Sequence, residues 1–194
     1  MSTLGAMRVG VYGGSFDPPH VAHVLLAAYA LSVGGFDRVL VVPVFAHTFN
    51  KELLPFEQRV ELCELGFRDL SRVTVSRIEQ SLPVPSRTLT TIEALQREYA
   101  GAELRLLVGA DILADVSKWH TFDQVTAKAP LFVVGRAGHE SVNSSGFSLP
   151  PISSTRVREL LMRRQEPDAA RELSEIVPQA VLERIDRSGL YRPT

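Results

Sequence analysis

Five short hydrophobic runs alternate with helix-like segments along this chain, and this order restricts its fold more than any other feature. The runs are rich in valine and leucine and occur at residues 7–13, 38–44, 72–78, 103–109 and 130–136. Segments with helical periodicity lie between them at 20–33, 55–69 and 88–99, with a short pair across 111–128. Continuous hydrophobicity is typical of strands that are covered on both faces. The alternation therefore predicts a doubly wound, Rossmann-like α/β fold, with a parallel sheet of five or six strands and helices on both faces.

The pattern changes after residue 136. Residues 137–151 are polar and rich in serine and glycine, so we expect a mobile loop there. Residues 153–194 have the periodicity of three helices, which predicts a helical C-terminal segment. We find no repeat and no linker, so residues 1–194 are predicted to form a single domain in which residues 1–6 are disordered.

Composition and charge argue against several classes of partner. Hydrophobic residues make up 45% of the chain, charged residues 22%, and the net charge is -1, so no global field would hold nucleic acid or an anionic membrane. No apolar run is long enough to span a bilayer, and the first residues lack the features of a signal peptide. The single cysteine, Cys63, cannot form an internal disulfide and is expected to be buried. These features predict a cytoplasmic protein.

The stretch at residues 8–23, RVGVYGGSFDPPHVAH, has the features of an anion-binding turn. It leads from the first strand into the first helix, and parallel sheets bind ligands at this end of their strands. Gly13 and Gly14 allow a ligand to approach the backbone N–H groups closely, and the two prolines that follow are compatible with a helix start. His20 and His23 are three residues apart, so both lie on one face of the first helical turn.

Two other interpretations of this turn stay open. His20 and His23 could bind zinc together with Asp17, although the sequence offers no obvious further ligand. The stretch could also be a tight turn with solvated histidines. It is neither a Walker loop nor a dinucleotide-binding fingerprint, because the Gly-Lys-Ser/Thr run and the G-x-G-x-x-G spacing are both missing.

Residues 150–158, PPISSTRVR, form the second candidate site. The Ser-Ser-Thr run would cap a helix and leave hydroxyl and N–H groups for a ligand. Arg156 and Arg158 fall in the first turn, where positive charge is unfavourable unless an anion neutralises it. The pattern predicts a second anion-binding helix tip, and an ordinary N-cap with solvated arginines is the open alternative.

Both stretches resemble motifs of one nucleotidyltransferase superfamily. The run Gly-Gly-Ser-Phe-Asp-Pro-x-His-x-x-His is similar to the first motif, named for its His-x-Gly-His, with Ala22 in place of the usual glycine. Residues 152–158 are similar to the second motif, Ile-Ser-Ser-Thr-x-Ile/Val-Arg, which binds the triphosphate in that superfamily. The resemblance implies an enzyme that uses ATP.

Three further stretches resemble bacterial nicotinate-mononucleotide adenylyltransferases. They are GADILADVSKWH at 109–120, PSRTLTTIEAL at 85–95, and the C-terminal Val-Pro…Gly-Leu-Tyr pattern at 177–191. This resemblance covers nearly the whole chain. It implies transfer of AMP from ATP to nicotinate mononucleotide in NAD biosynthesis, giving nicotinate adenine dinucleotide and pyrophosphate, with Mg²⁺ carried mainly by ATP.

The resemblance also implies three groups of site residues. The catalytic group is His20, His23 and Arg158. The ATP-binding group is Gly13, Gly14, Ser15, Phe16, Asp17, Gly109, Asp111, Ser153, Ser154 and Thr155. The acceptor-binding group is His47, Lys51, Thr88, Trp119 and His120. The indole of Trp119 would stack on the pyridine ring. A buried core tryptophan, an N-capping Asp111 and a solvated Lys51 are the open alternatives.

The chain departs from the family pattern on the acceptor side. Arg87 stands where the family has tyrosine, Thr90 stands where it has aspartate, and residues 46–51 replace a short Pro-x-His-Lys loop. Nicotinamide mononucleotide or phosphopantetheine therefore stays open as the acceptor. A non-catalytic ATP-binding domain also stays open, and so does assembly into a homo-oligomer.

Overall fold

The computed structural model describes residues 5–46, 53–113, 121–137 and 147–192. In these ranges the chain forms six strands: β1 (Arg8–Gly14), β2 (Arg38–Pro43), β3 (Val73–Val75), β4 (Glu103–Gly109), β5 (Leu131–Arg136) and β6 (Ser148–Leu149). They form one sheet in the order β3-β2-β1-β4-β5-β6, and every pairing is parallel. The predicted doubly wound, Rossmann-like α/β fold is confirmed.

The helices lie where the periodicity predicted them. They are α1 (Val21–Ser32), α2 (Phe56–Phe67), α3 (Thr88–Glu98), α4 (Phe122–Lys128), α5 (Ser154–Met162), α6 (Pro167–Ile176) and α7 (Gln179–Ser188), with a 3₁₀ helix at Ile78–Ser81. Most of the first helix of the predicted pair across 111–128 lies outside the described residues. None of the helices in the described part of the chain is long and apolar enough to cross a bilayer.

Strand β6 corrects the prediction for residues 137–151, which were expected to form only a loop. Ser148 and Leu149 pair with Gly135 and Arg136 at the end of β5. A strand of two residues is too short to carry a periodic hydrophobic pattern, so its formation depends on the neighbouring edge that offers hydrogen bonds.

Side chains of β2 alternate between two buried layers. Val39 and Val41 belong to the layer that includes α1 and α2, whereas Leu40 and Val42 belong to the layer that includes α3 and α4. Because both faces of the sheet are covered, β2 is hydrophobic at successive positions. Cys63 lies fully buried in the first of these layers, as predicted.

The three C-terminal helices share a third hydrophobic cluster. Residues of α5, α6 and α7 pack together and against Leu62 of α2. Since α2 also packs on the sheet, this cluster attaches the C-terminal helices to the layer next to β2. The tip of α5 is thereby held near the carboxyl ends of the strands.

The order of the strands reverses between β1 and β4. From this central pair, the sheet continues to β2 and β3 on one side and to β5 and β6 on the other. Such a reversal leaves a crevice beyond the carboxyl ends of the two central strands, where open α/β sheets bind ligands. β1 ends at Gly14 and β4 at Gly109, so the turn at 13–20 and Asp111 border this crevice.

Gly34 allows α1 to turn closely into β2. A Cβ atom at this position would lie 2.8 Å from the backbone oxygen of Ala30 and 2.8 Å from Cζ of Phe132. Gly34→Ala should therefore lower the free energy of unfolding by about 1–3 kcal/mol, as measured by urea denaturation. Gly5→Ala is the control, because a Cβ at that exposed position would meet no atom within 4 Å. Equal stability of the two variants would contradict the close packing at Gly34.

Candidate active site

The turn after β1 has an open backbone and a buried aromatic support. Gly13 is exposed, and a Cβ atom there would meet nothing within 4 Å. A Cβ on Gly14 would lie 3.1 Å from the ring of Phe16, which is 1% exposed. Phe16 has a φ of 48°, a left-handed conformation that costs a non-glycine residue about 1–3 kcal/mol. The packing of its ring against Tyr12, His23 and Phe67 helps to hold the turn in this shape.

The two histidines at the start of α1 hold each other in place. The backbone N–H of His20 donates to Nδ1 of His23 at 3.1 Å, and the backbone N–H of His23 donates to the carbonyl of His20 at 2.9 Å. Their rings stack with centroids 3.7 Å apart and an interplanar angle of 22°. Because Nδ1 of His23 accepts a hydrogen bond, the neutral ring carries its proton on Nε2. The helix itself begins at Val21, so the two prolines precede it.

Both imidazoles are neutral at pH 7. Burial lowers the pKa of His20 from 6.5 to about 3, and the positive charge of Arg136 adds to the shift. Burial also lowers the pKa of His23, with further contributions from His20 and then Arg136. Nδ1 of His20 is buried and has no hydrogen-bond partner in the described part of the chain. The pair therefore presents neutral hydrogen-bonding groups rather than cations.

Asp17 joins the turn to the end of the chain. Its side chain is buried, and its Oδ1 accepts a hydrogen bond from the hydroxyl of Tyr191. Burial raises the pKa of Tyr191, and the negative charge of Asp17 raises it further, so this hydroxyl keeps its proton. Within the described ranges, no group of three or more His, Cys, Asp or Glu residues has the spacing of a metal site.

The tip of α5 meets the turn after β1. Nη1 of Arg158 donates to the backbone carbonyl of Asp17 at 2.7 Å, and Nη2 donates to the hydroxyl of Thr155 at 3.2 Å. The hydroxyl of Ser154 donates to the carbonyl of Pro18 at 3.0 Å. Ser153 caps the helix, since its hydroxyl accepts the N–H of Arg156 at 3.2 Å. The two motifs that the sequence singled out therefore share one edge of the sheet.

The two arginines at this helix tip differ in their partners. The guanidinium of Arg156 binds both carboxylate oxygens of Glu172 on α6, at 3.0 and 2.6 Å. The positive charge of Arg156 thus has an anion within the protein, whereas Arg158 is directed to the turn after β1. Of the two, Arg158 is the one that lies at the predicted anion-binding turn.

Arg136 belongs to the same edge, and the sequence reasoning missed it. At the end of β5, its Nη1 donates to Oδ2 of Asp111 at 2.9 Å, and its Nη2 donates to the carbonyl of Ile152 just before α5. Oδ1 of Asp111 is buried without a partner in the part of the chain that the structure describes. A Cβ on Gly109 would lie 2.5 Å from that oxygen, so a side chain there would force the carboxylate of Asp111 to move. The sequence feature that could have indicated Arg136 is a charged residue at the end of an apolar strand, where parallel sheets bind ligands.

The predicted acceptor residues are described only in part. Thr88 is the first residue of α3, and the exposed Arg87 precedes it as the N-cap. The N–H of Ser86 donates to the carbonyl of Ala46 at 3.1 Å, and its hydroxyl accepts the N–H of Ala46 at 3.2 Å. The start of α3 therefore adjoins the chain that follows β2. His47, Lys51, Trp119 and His120 lie outside the described residues.

Comparison with known proteins identifies the class to which this fold and site belong. The model of the cytidylyltransferase-like family matches residues 11–160. A protein of Anaeromyxobacter dehalogenans named "Probable nicotinate-nucleotide adenylyltransferase" is 41% identical over 191 residues, which cover 97% of this chain and 98% of that protein. A protein of the same name from Thermus thermophilus is 35% identical, with 96% and 100% covered.

The chain therefore belongs to the cytidylyltransferase-like family, within the group of bacterial nicotinate-nucleotide adenylyltransferase relatives. This confirms the family that the sequence motifs predicted. The nicotinic acid mononucleotide adenylyltransferase of Plasmodium falciparum, solved in complex with NaAD, has the same fold. It aligns with a TM-score of 0.80 over 95% of this chain and 97% of that chain, at 16% identity.

The lowered pKa of His20 predicts a loss of stability in mild acid. The unfolded chain takes up a proton near pH 6.5, whereas the folded chain does so only near pH 3, so the unfolded state binds more protons between these values. The free energy of unfolding should fall as the pH drops, by about 2 kcal/mol from this residue at pH 5. In urea denaturation at pH 7 and pH 5, His20→Gln should lose correspondingly less stability than the wild type. The same pH dependence in both proteins would contradict the neutral, buried state of His20.

Proposed function

We propose that the protein transfers AMP from ATP to nicotinate mononucleotide, giving nicotinate adenine dinucleotide and pyrophosphate in NAD biosynthesis. The names of its bacterial relatives support this proposal. The observation that carries it is the 2.7 Å hydrogen bond from Arg158 to the carbonyl of Asp17. This contact brings the tip of α5 to the glycine-rich turn, which leads into the two neutral histidines at the strand reversal. We propose that this enzyme acts in the cytoplasm.

The reaction needs no base from the protein. The nucleophile is the phosphate of the acceptor, whose second pKa is about 6, so it is largely ionised at neutral pH. Its oxygen attacks the α-phosphorus of ATP, and the bond from that phosphorus to the bridging oxygen of pyrophosphate breaks. The protein has to align the two nucleotides and stabilise the negative charge that develops around the phosphorus.

The turn after β1 would hold the triphosphate. Gly13, Gly14 and Ser15 would supply backbone N–H donors, since no side chain obstructs the approach at Gly13. The proton on Nε2 of His23 would be donated to an oxygen of the α-phosphate. A neutral imidazole suits this role, because it donates a hydrogen bond without an ionic partner of its own. His20 would support the ring of His23 through the stacking contact.

The tip of α5 would hold the leaving pyrophosphate. Arg158 is fixed by its hydrogen bonds to Asp17 and Thr155, and its remaining N–H groups would bind phosphate oxygens. Ser154 would add a backbone N–H at the positive end of the helix. On the other side of the crevice, the carboxylate of Asp111 would accept a hydrogen bond from a ribose hydroxyl of ATP, next to the side-chain-free Gly109.

Mg²⁺ would accompany ATP. Oδ1 of Asp17 accepts the hydroxyl of Tyr191, and Oδ2 of Asp111 is paired with Arg136, so one oxygen of each carboxylate is already engaged within the protein. This donor set fits a magnesium ion that is held mostly by phosphate oxygens and water. When bound, the ion would offset negative charge on the triphosphate.

The acceptor would bind between the start of α3 and the chain after β2. Arg87 and Thr88 lie at the start of α3, and the preceding Ser86 forms hydrogen bonds with Ala46, which follows β2. The roles of His47, Lys51, Trp119 and His120 in binding the acceptor stay predictions. The exposed guanidinium of Arg87 would favour an acidic acceptor.

A pyrophosphate-release assay with ATP and Mg²⁺ tests the proposed function directly. Nicotinate mononucleotide, nicotinamide mononucleotide and phosphopantetheine are supplied in parallel, and the dinucleotide product is identified by mass. We expect the highest kcat/KM with nicotinate mononucleotide and no turnover when EDTA removes the metal. Preferential use of another acceptor would overturn the acceptor assignment. No pyrophosphate with any of the three would overturn the enzymatic function.

His23→Ala should nearly abolish turnover while the fold stays intact. The loss of one hydrogen bond to the reacting phosphate typically slows such a step about a hundredfold or more. Turnover is measured as pyrophosphate release, and folding is checked by circular dichroism. Ser32→Ala, at the exposed opposite end of α1, is the control and should keep wild-type activity. A His23→Ala enzyme that retains about a tenth of the wild-type rate or more would refute this role.

A further inference from the structure

Arg59 is an arginine in a place that is unfavourable for a cation. It lies in the first turn of α2, and its side chain is the largest that the described part of the fold buries fully, at 1% exposure. The start of a helix is its positive end, and burial removes the charge from water. Burial accordingly lowers the pKa of Arg59, and Asp17 is the charged neighbour that opposes this shift most. A buried guanidinium is tolerated only where hydrogen bonds compensate for the lost interactions with water.

The guanidinium of Arg59 binds three backbone carbonyls. Nη2 donates to Val44 at 2.7 Å, Nη1 donates to Ser15 at 2.9 Å, and Nε donates to Leu54 at 2.9 Å. The ring of Phe56 lies 5.7 Å from the centre of the guanidinium and supports it from one side. The arginine thus uses donors on all three of its nitrogen atoms.

These carbonyls belong to segments with different proposed substrates. Ser15 lies in the turn that would hold the triphosphate. Val44 follows β2 and Leu54 precedes α2, so the two residues border the segment 45–53 on either side. Ala46, at the start of that segment, is hydrogen-bonded to Ser86 just before α3, where the acceptor would bind. The buried guanidinium of Arg59 therefore links Ser15 in the triphosphate turn to Val44 and Leu54 on the acceptor side.

We propose that Arg59 is a positioning residue that sets the distance between the triphosphate turn and the acceptor side of the crevice. This inference rests on the proposed adenylyl transfer. Arg59 would touch neither substrate and would act by fixing the backbone at Ser15, Val44 and Leu54. Attack on the α-phosphorus requires the acceptor phosphate in line with the leaving group, and a misplacement of about 1 Å can slow a reaction ~100-fold.

The geometry requires arginine rather than any cation. A guanidinium is planar and directs its N–H groups outward along fixed directions, so one side chain reaches three separated carbonyls. The ammonium of lysine has the same charge but concentrates its donors on one nitrogen atom. Arg59→Lys therefore preserves the charge but loses some of the three hydrogen bonds to backbone carbonyls.

Arg72 provides a matched control at the opposite edge of the sheet. Its guanidinium also donates to two backbone carbonyls, of Phe36 at 3.0 Å and of Leu31 at 3.1 Å. Arg72 and Phe36 precede β3 and β2, so this contact lies at the amino ends of the strands, away from the crevice. Arg72→Lys makes the same chemical change without touching the proposed site.

The test compares wild type, Arg59→Lys and Arg72→Lys in steady-state assays and in binding of a non-hydrolysable ATP analogue. For Arg59→Lys we expect kcat to fall about 10- to 100-fold, while the Kd of the analogue without acceptor changes less than about threefold. Arg72→Lys should keep the wild-type kcat, even where its melting temperature falls. The inference would be overturned if Arg59→Lys kept the wild-type kcat and the wild-type KM for the acceptor. It would also be overturned if the variant lost only affinity for the ATP analogue.

A second variant covers the case in which Arg59→Lys does not fold. Phe56→Leu keeps Arg59 but removes the ring that supports its guanidinium. We expect the kcat of this variant to fall about threefold or more with the affinity for the analogue retained, and an unchanged kcat would overturn the inference. A wild-type enzyme without turnover would overturn the proposed function and this inference together. An active wild type with an equally active Arg59→Lys variant would overturn the inference alone.

Discussion

The hydrogen bond from Arg158 to the carbonyl of Asp17 joins residues 141 positions apart, and the organisation of the candidate site depends on it. The turn after β1 and the tip of α5 each have N–H groups suited to an anion, but neither encloses a triphosphate alone. The contact exists because α5 packs with α6 and α7 against α2, which in turn packs on the sheet. The C-terminal helices thus contribute to the site as well as to the core, and Tyr191 adds a second tie to Asp17.

The electrostatics of the crevice follow from burial and from which of its arginines are paired with carboxylates. The chain as a whole has a net charge of -1, so attraction for a triphosphate has to be local. Arg158 provides that local positive charge, since the charge of Arg136 is paired with Asp111, and desolvation keeps His20 and His23 neutral. Neutral imidazoles can donate hydrogen bonds to phosphate without binding the product as tightly as further cations would. This arrangement suits a reaction whose products also carry phosphates.

The sequence predicted the parallel sheet, the helices, the turn at residues 13–20 and the tip of α5, because each depends on local residue patterns. It failed for β6, whose two residues form a strand only beside β5. It also missed Arg136, whose partners Asp111 and Ile152 lie on other elements. The sequence did not indicate the burial of Arg59, because an arginine in an amphipathic helical pattern is normally solvated. The sequence did not distinguish Arg156 from Arg158, whereas the structure shows that Arg156 is paired with Glu172.

The sequence by itself determined which segments form strands and helices and which turns lack side chains, since periodicity, glycine and helix caps act within a few residues. It also carried the motifs that indicate the family. Only the tertiary structure decided which charged groups face the crevice and which are neutralised within the protein. That choice depends on distances between segments far apart in the chain, and hydrogen bonds and desolvation act only where packing has brought those segments within a few ångströms.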